Sequence, residues 1–184
     1  MRERKLKNHD AWKILDRKAV YDSPPFLRVE KQTVELPSGR VIDSYHQLHM
    51  PESSIICPMT EDGGVVLLYA YRHGIGHATF FLPGGIVEVN ETPVDAAKRE
   101  LLEETGYTSA AWTSLGSYVP HSNYGCGQVH IFKCTSVWKI QEASSDDLEV
   151  GQIEIVSREE VTKMIQIGLI QSLSSVAAVG LVMR

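Results

Sequence analysis

Cysteine is scarce in this 184-residue chain, and its three cysteines are arranged neither for pairing nor for binding a metal. Cys57, Cys126 and Cys134 are an odd number, and no two of them have a Cys-x-x-Cys spacing. The pattern argues against a disulfide framework and against a zinc site. It favours a reducing compartment, and we expect the protein to be cytoplasmic.

Long apolar runs and a surplus of basic charge are also missing. The most apolar stretch, residues 165–183, is interrupted by glutamines and serines and falls short of the roughly 18 apolar residues of a membrane span. The charged N-terminus is not followed by the apolar stretch of a signal peptide. The net charge of −5 leaves no basic excess to neutralise nucleic-acid phosphates. We therefore expect neither membrane nor nucleic acid as a partner.

The first fifty residues read as a β-rich extension. A composition of 43% hydrophobic and 22% charged residues is typical of a globular protein with a core, and the length suits one domain with an extension. Proline-containing breaks separate three predicted strands, residues 12–20, 26–36 and 41–49. We divide the chain into an extension, residues 1–50, and a main domain, residues 51–184.

The main domain combines strands and helices. Residues 54–58 and 64–71 are predicted strands, and the Glu-Asp-Gly-Gly turn between them predicts that they pair with each other. Strands on both sides of one central helix predict a mixed sheet with helices packed on it. The remaining predicted elements are strands at residues 112–119, 129–138 and 152–157 and helices at residues 158–167 and 171–183.

The central helix has clear start and stop signals. Thr92 is a good N-cap residue, Pro93 suits the first helical position, and Asp95 complements the positive end of the helix dipole. Gly106 suits the left-handed position that ends a helix. The sequence predicts a helix from about Pro93 to Glu104 or Thr105.

Three carboxylates lie on one face of this helix. Glu100 is three residues before Glu103 and four before Glu104, and both spacings bring side chains together on a helix. Like charges so close destabilise the helix unless cations offset them. Lys98 and Arg99 could do so in a solvated acidic face, and a bound divalent cation is the alternative. Oxygen ligands of this kind suit magnesium or manganese.

The segment from Gly85 to Tyr107 fits the pattern G-x5-E-x7-R-E-U-x-E-E-x-G-U, where U is aliphatic. All seven specified residues are in place, and only Tyr107 departs from the pattern. The segment resembles the Nudix box, the signature of the Nudix hydrolases, although it covers only 23 of the 184 residues. The resemblance implies an α/β/α sandwich, in the α+β class, with a mixed sheet that the β-rich extension precedes.

The resemblance also implies roles for the residues of the box. Glu100, Glu103 and Glu104, with the backbone carbonyl of Gly84, would hold Mg²⁺, for which Mn²⁺ could substitute. Arg99 would orient these glutamates, and Glu91 would pair with Arg99 by a salt bridge. The reaction implied is hydrolysis of a diphosphate by water.

The general base has two candidates. In similar enzymes that act on ADP-ribose it comes from a glutamate in a downstream loop, and the acidic loop of residues 141–149 lies at the corresponding place. Glu149 is the favoured candidate and Glu103 is the alternative. A solvated loop without a catalytic role would have the same composition.

The substrate is expected to be a nucleoside diphosphate sugar. The β-rich extension and the Tyr71-Arg72 pair resemble features of ADP-ribose and nucleoside diphosphate sugar pyrophosphatases, where such an arginine reaches phosphate. Ala70 and Phe81 stand where ADP-ribose enzymes often carry polar residues. The resemblance therefore implies ADP-ribose or a nucleoside diphosphate hexose rather than ADP-ribose alone.

Several aromatic residues could stack on the base, although packing in a core is their commoner use. Phe26 and Tyr124 are the candidates we favour, and Trp12 and Phe80 are others. The extension also implies a homodimer. Competing functions are hydrolysis of dinucleoside polyphosphates, cleansing of the nucleotide pool, and nucleotide sensing without catalysis. The retained box carboxylates favour an enzyme over a sensor.

Overall fold

The computed structural model describes residues 11–144 and 151–183, and the chain divides into two compact units. The N-terminal unit consists of the described residues up to Pro51 together with a later segment, His121–Gly127. The other unit, which we call the catalytic unit because it contains the segment that resembles the Nudix box, consists of Glu52–Pro120 and the described residues from Gln128 onward.

The N-terminal unit is an antiparallel three-stranded sheet, as the alternation of strands and turns predicts. Its strands are β1 (Lys13–Ser23), β2 (Leu27–Glu35) and β3 (Val41–His49), and β2 is the central strand. The later segment joins this unit because the Leu48 amide donates to the Tyr124 carbonyl oxygen at 2.8 Å. Nearly every residue of β1 is exposed, including the apolar Val20 and Tyr21.

The catalytic unit contains nine strands and three helices within the described residues. The helices lie close to their predicted places, and α1 ends where Gly106 follows it. The strands are β4 (Ser53–Pro58), β5 (Val65–Arg72), β6 (His77–Phe81), β7 (Gly84–Ile86), β8 (Tyr107–Thr108), β9 (Ala111–Tyr118), β10 (Val129–Thr135), β11 (Trp138–Lys139) and β12 (Gln152–Val156). The helices are α1 (Pro93–Thr105), α2 (Arg158–Gln166) and α3 (Leu173–Val182).

The strands form a mixed sheet and two smaller antiparallel ones. The mixed sheet has the order β7-β4-β10-β9, in which β4 and β10 are parallel and the other pairs are antiparallel. A second sheet has the order β12-β5-β6, and β11 pairs with β8. This arrangement confirms the predicted mixed sheet.

Alternating side chains of β4 and β5 build the core on two sides. Ile56 and Val66 pack with Ala97 and Leu101 of α1. The adjacent residues Cys57 and Val65 belong to a second cluster, to which α2 and α3 contribute. Helices therefore cover the strands on both sides, because successive residues of a strand point to opposite faces. The predicted α/β/α sandwich is confirmed.

The predicted pairing of the two strands around residues 61–64 is wrong. The turn does form, and the Thr60 amide donates to the Gly64 carbonyl oxygen at 2.9 Å. Among the described residues, a single isolated β-bridge, Met59 to Val65, joins the two segments that flank the turn. β4 and β5 then separate into different sheets. Most residues of both strands are buried, and side chains of both strands belong to the same two core clusters.

No helix among the described residues combines the length and the apolar character that crossing a bilayer requires. The most apolar helix, α3, has ten residues.

Candidate functional site

Helix α1 begins and ends where its capping residues predict. The Thr92 hydroxyl oxygen accepts from the Asp95 amide at 3.3 Å, and Pro93 occupies the first helical turn. Gly106 has a φ of 73° and its amide donates to the Leu102 carbonyl oxygen at 2.8 Å. Because Ala97 and Leu101 anchor the opposite side in the core, the acidic side of the helix is held toward an open cleft.

Arg99 connects three glutamates and the strand before the helix. Its Nε and Nη2 atoms donate to the two carboxylate oxygens of Glu91 at 2.9 and 3.0 Å. Its Nη1 atom donates to Glu100 at 2.7 Å and to Glu103 at 3.1 Å. Nη2 also donates to the Ile86 carbonyl oxygen at 3.0 Å. The predicted Arg99–Glu91 ion pair is present, and it fixes the position from which Arg99 holds the other two carboxylates.

Glu104 contacts the strand that carries the two glycines. Its carboxylate is buried and accepts from the Gly84 amide at 2.7 Å. Gly84 and Gly85 belong to β7, which pairs with β4. A Cβ atom added at Gly85 would overlap the carboxylate of Glu100. Only glycine at this position therefore allows the strand to lie directly against that carboxylate.

These groups line a cleft of about 540 Å³ in the catalytic unit, which we call the carboxylate cleft. With every side chain ionised, four carboxylates oppose two guanidinium groups, so negative charge is in excess. No three His, Cys, Asp or Glu side chains of the described chain converge on one point. Glu100 and Glu103 are instead directed to Arg99. The charged residues lining the cleft are Arg72, Glu88, Arg99, Glu100, Glu103 and Glu104.

The ion pairs shift the titration of their members. Hydrogen bonding from Arg99 lowers the pKa of Glu91 below its ordinary value. The same bond to Glu91 is the largest influence that raises the pKa of Arg99. Both groups are therefore held in their charged forms at neutral pH.

The donor chemistry of the cleft fits a hard divalent cation. The available donors are carboxylate oxygens, which magnesium and manganese prefer. A cleft with excess negative charge repels a diphosphate unless a cation enters with it. Glu100, Glu103 and Glu104 all line the cleft, next to Gly84. The predicted metal ligands thus line one cleft, but two of them face Arg99 and the three carboxylates do not converge on one point within the described chain.

The favoured general base, Glu149, lies outside the described residues. Ser144 is the last residue described before that segment. It lines the carboxylate cleft, and its amide donates to the Glu103 carbonyl oxygen at 2.8 Å. The alternative base, Glu103, lies in the cleft with 43% of its side chain exposed.

Of the predicted Tyr71-Arg72 pair, the structure brings only Arg72 to the cleft. Its guanidinium group lies 3.9 Å from the ring centroid of Phe81, a cation–π contact. Tyr71 is not among the described residues that line the cleft, and its hydroxyl contacts His73 Nδ1 at 3.4 Å. Phe81, which the sequence indicated only as a departure from a family pattern, therefore supports Arg72.

The aromatic residues proposed for base stacking have different surroundings. Phe26 and Tyr124 belong to the N-terminal unit and are 66% and 43% exposed. Trp12 packs edge-on against Tyr45, and Phe80 packs against Tyr69. The packing of Trp12 and Phe80 agrees with the structural use of aromatic residues.

Sequence reasoning missed the contributions of Ile86 and Ser144. Ile86 acts through its backbone carbonyl, which no side-chain pattern encodes. Ser144 is brought to the cleft by a long-range contact with Glu103. The sequence did contain a signal for a third contact, that of Gly85 with Glu100. A glycine in a strand can indicate that another group approaches the backbone closely.

Family models match most of the chain. Residues 50–173 match the NUDIX domain, and residues 12–48 match the nucleoside diphosphate sugar hydrolase N-terminal domain. The matched regions meet near the boundary between the extension and the main domain.

Curated relatives and a solved structure resemble the chain as well. An ADP-ribose pyrophosphatase of Bacillus subtilis (strain 168) is 26% identical over 73% of this chain and 73% of its own length. A CMP-5'-(N-acetyl-N-hydroxy-3-aminopropyl)phosphonate hydrolase of Streptomyces rubellomurinus (strain ATCC 31215) is 32% identical over 66% of this chain and 58% of its own. The crystal structure of an ADP compounds hydrolase superposes with a TM-score of 0.83 at 21% identity, covering 97% of this chain and 95% of that one. The last likeness concerns the fold.

Proposed function

Because the chain belongs to the Nudix hydrolase family and is an enzyme of that family, we propose that it hydrolyses the diphosphate of a nucleoside diphosphate sugar. The products are a nucleoside monophosphate and a sugar phosphate. The substrate is ADP-ribose or a nucleoside diphosphate hexose. The reaction depends on Mg²⁺, and Mn²⁺ can substitute for it.

The observation that carries this proposal is the position of Arg99 among Glu91, Glu100 and Glu103. A guanidinium group anchored by one carboxylate holds two others beside the cleft, and the Gly84 amide holds the carboxylate of Glu104. Glu100, Glu103, Glu104 and the Gly84 carbonyl hold the cation in this proposal. A bound divalent cation neutralises charge on the diphosphate and acidifies the attacking water.

The residues of the chain perform the remaining steps. Arg72 binds a phosphate oxygen at the cleft wall, as a guanidinium group does well. Glu149 takes the proton from water as the new phosphorus–oxygen bond forms and the bridging bond breaks, and Glu103 is the alternative base. Ser144 lines the cleft and precedes Glu149 by five residues in the sequence, and this proximity along the chain supports the choice of Glu149 as the base.

The choice of substrate class is supported by the comparisons. Residues 12–48 match the N-terminal domain of nucleoside diphosphate sugar hydrolases, and one relative of the chain is an ADP-ribose pyrophosphatase. Phe26 and Tyr124 are assigned to stacking on the base in this proposal; the ring of Phe26 is exposed, and the ring of Tyr124 packs against that of His121 at 4.6 Å between centroids.

A panel assay with magnesium tests the function. ADP-ribose, ADP-glucose, UDP-glucose, GDP-mannose and diadenosine polyphosphates are incubated with the enzyme, and the products are separated and identified. We expect a nucleoside monophosphate and a sugar phosphate from at least one nucleotide sugar, in preference to the diadenosine compounds. Cleavage of the diadenosine polyphosphates alone would reject the substrate class.

The enzyme is a homodimer in this proposal, paired through the N-terminal unit. Among the described strands, β1 is an edge strand that exposes apolar residues such as Val20 and Tyr21, and an edge of this kind readily pairs with a second chain. Sedimentation of the intact chain should give a dimer, and Val20→Glu or Tyr21→Glu should shift it toward monomer. A monomeric wild-type chain would refute this part.

The same proposal locates the enzyme in the cytoplasm. Cys57, Cys126 and Cys134 all carry free thiols, which a reducing compartment preserves. Fractionation of cells producing the tagged protein tests the location.

A further inference from the structure

A second cavity of the catalytic unit, of about 470 Å³, shares Arg72 with the carboxylate cleft. It lies between the turn that follows β5, strand β6 and the start of α3, and we call it the α3 pocket. A group bound to Arg72 at the cleft therefore lies beside the α3 pocket as well. The polar residues that line this pocket are Arg72, His73, Thr79, Gln171, Ser172 and Ser175.

The two cavities differ in charge. The carboxylate cleft has four acidic residues in its wall, whereas none of the described residues that line the α3 pocket is acidic. A pocket of this composition does not attract a metal ion. Its hydroxyl and amide groups suit a ligand with many oxygen atoms, since each such group can donate and accept hydrogen bonds.

Two of the polar side chains are buried and hydrogen-bonded within the protein, and two others lie nearer the surface. Thr79 and Ser175 are buried; Thr79 donates to the Leu169 carbonyl oxygen at 2.8 Å, and Ser175 accepts from the Leu82 amide at 3.0 Å. Ser172 is the N-cap residue of α3, yet its side chain makes no capping hydrogen bond within the described chain. Gln171 is exposed, and its Nε2 atom donates to the Gly168 carbonyl oxygen at 2.9 Å and contacts His77 Nε2 at 3.4 Å. The protein therefore holds the amide nitrogen, and the amide oxygen is the atom that can accept from a ligand.

The aromatic content of the pocket argues for a sugar and against a nucleobase. Bases are held by stacking on open aromatic faces. The buried ring of Phe81 is covered by the guanidinium group of Arg72. His73 is the other residue of the wall with a ring, and its Nδ1 atom contacts the Tyr71 hydroxyl at 3.4 Å.

We propose that the α3 pocket binds the sugar that is attached to the second phosphate of the substrate. Arg72 contacts the phosphate on the sugar side, and Gln171 and Ser172 contact the ring hydroxyls and determine which sugar is accepted. This inference rests on the proposed function, because the diphosphate in the carboxylate cleft sets which group reaches the pocket.

The test is a calorimetric titration of the intact enzyme, in magnesium buffer, with product-like probes. Ribose 5-phosphate and glucose 1-phosphate carry the sugar, and methyl phosphate lacks it. We use Gln171→Leu, which removes the polar amide, and Gly74→Leu, which reduces the pocket volume. A Cβ atom at Gly74 meets no heavy atom within 4 Å, so a side chain can begin there without a clash. Gln166→Leu, an exposed glutamine on α2 outside the pocket, is the matched control.

The expected pattern has three parts. At least one sugar phosphate binds the wild type more tightly than methyl phosphate does. Gln171→Leu removes a hydrogen bond and Gly74→Leu removes space for the sugar, so each weakens that binding about tenfold. Both variants bind methyl phosphate as the wild type does. Gln166→Leu matches the wild type. Equal binding of all probes to the wild type, or equal weakening of every probe in the pocket variants, overturns the assignment.

Kinetics on the same variants separate this inference from the function. If the nucleotide sugar is hydrolysed with an unchanged KM in Gln171→Leu and Gly74→Leu, the subsite is wrong and the function stands. If sugar phosphate binding follows the expected pattern but no nucleotide sugar is hydrolysed, the function is wrong and the pocket stands. Melting temperatures close to that of the wild type exclude a folding defect as the cause.

Discussion

Arg99 and Glu91 form a two-point ion pair, with Nε and Nη2 at 2.9 and 3.0 Å from the two carboxylate oxygens of Glu91. Glu91 precedes helix α1 and Arg99 lies in its second turn, so the pair joins the helix to the segment before it. Both side chains are mostly buried, with exposed fractions of 25% for Arg99 and 16% for Glu91. The pair therefore sets the position of the guanidinium group that contacts Glu100 and Glu103.

Arg99→Lys should lower activity and stability together. A lysine keeps the charge but cannot bridge Glu91, Glu100 and Glu103 at once, since it lacks the planar fork of donors. We expect kcat to fall at least about tenfold and the free energy of unfolding to drop by about 1–3 kcal/mol. Chemical denaturation and steady-state kinetics measure both. Lys98→Gln, at the exposed neighbouring position, is the control, and equal effects in the two variants would contradict a special role for Arg99.

Acid should weaken the contribution of Glu91 to stability. Arg99 lowers the pKa of Glu91 from 4.5, so the folded state favours the ionised carboxylate. Its stabilising effect is fully present above pH 4.5 and is lost as the pH falls through the lower folded value. The difference in melting temperature between wild type and Glu91→Gln should be constant from about pH 5 to 7 and should shrink at lower pH. A difference that stays the same down to about pH 3 would be inconsistent with this ion pair.

Gly85→Ala should lower activity with little loss of stability. The three atoms nearest to the added Cβ atom all belong to the Glu100 carboxyl group and none to the backbone, so the carboxylate has to move and its contact with Arg99 changes. The carboxylate then leaves its place beside β7. We expect the magnesium concentration that gives half-maximal activity to rise about tenfold. Magnesium titrations of activity measure the effect. Gly180→Ala adds a methyl group in open space on α3 and should behave like the wild type.

Gly106→Ala should destabilise the fold more than Gly39→Ala. Both glycines have a positive φ, 73° and 81°, and an alanine is strained at either position. At Gly106 the Cβ atom would also overlap the Gln141 carbonyl oxygen, whereas at Gly39 it meets nothing within 4 Å. We expect losses of about 1 kcal/mol at Gly39 and roughly 2–4 kcal/mol at Gly106. Equal losses would show that only backbone strain matters at Gly106.

The sequence was most informative where local chemistry decides the structure. Thr92, Pro93 and Gly106 define α1 through contacts within one helical turn, so its limits could be predicted. The turn at residues 60–64 was also recognisable, but the partners of β4 and β5 were not. Partner choice depends on β10 and β12, which lie far along the chain, and burial on both faces gives no alternation to indicate a sheet.

The candidate site could be predicted in the same uneven way. The spacing of Glu100, Glu103 and Glu104 gives their common face, and the Nudix pattern adds Arg99 and Glu91. Phe81 beneath Arg72, and the start of α3 beside it, come together only through packing of β5, β6 and α3. No spacing in the sequence encodes such a contact between distant elements.

The most direct measurement is the turnover of the best nucleotide sugar by Glu104→Gln in saturating magnesium. Glutamine keeps an oxygen that can accept from the Gly84 amide, so the fold should persist, but it removes the negative charge that we propose holds the cation. We predict that kcat falls at least roughly 100-fold while the melting temperature stays within a few degrees of the wild-type value. Turnover within about threefold of the wild type, at the same magnesium concentration, would contradict the role of the α1 carboxylates in catalysis.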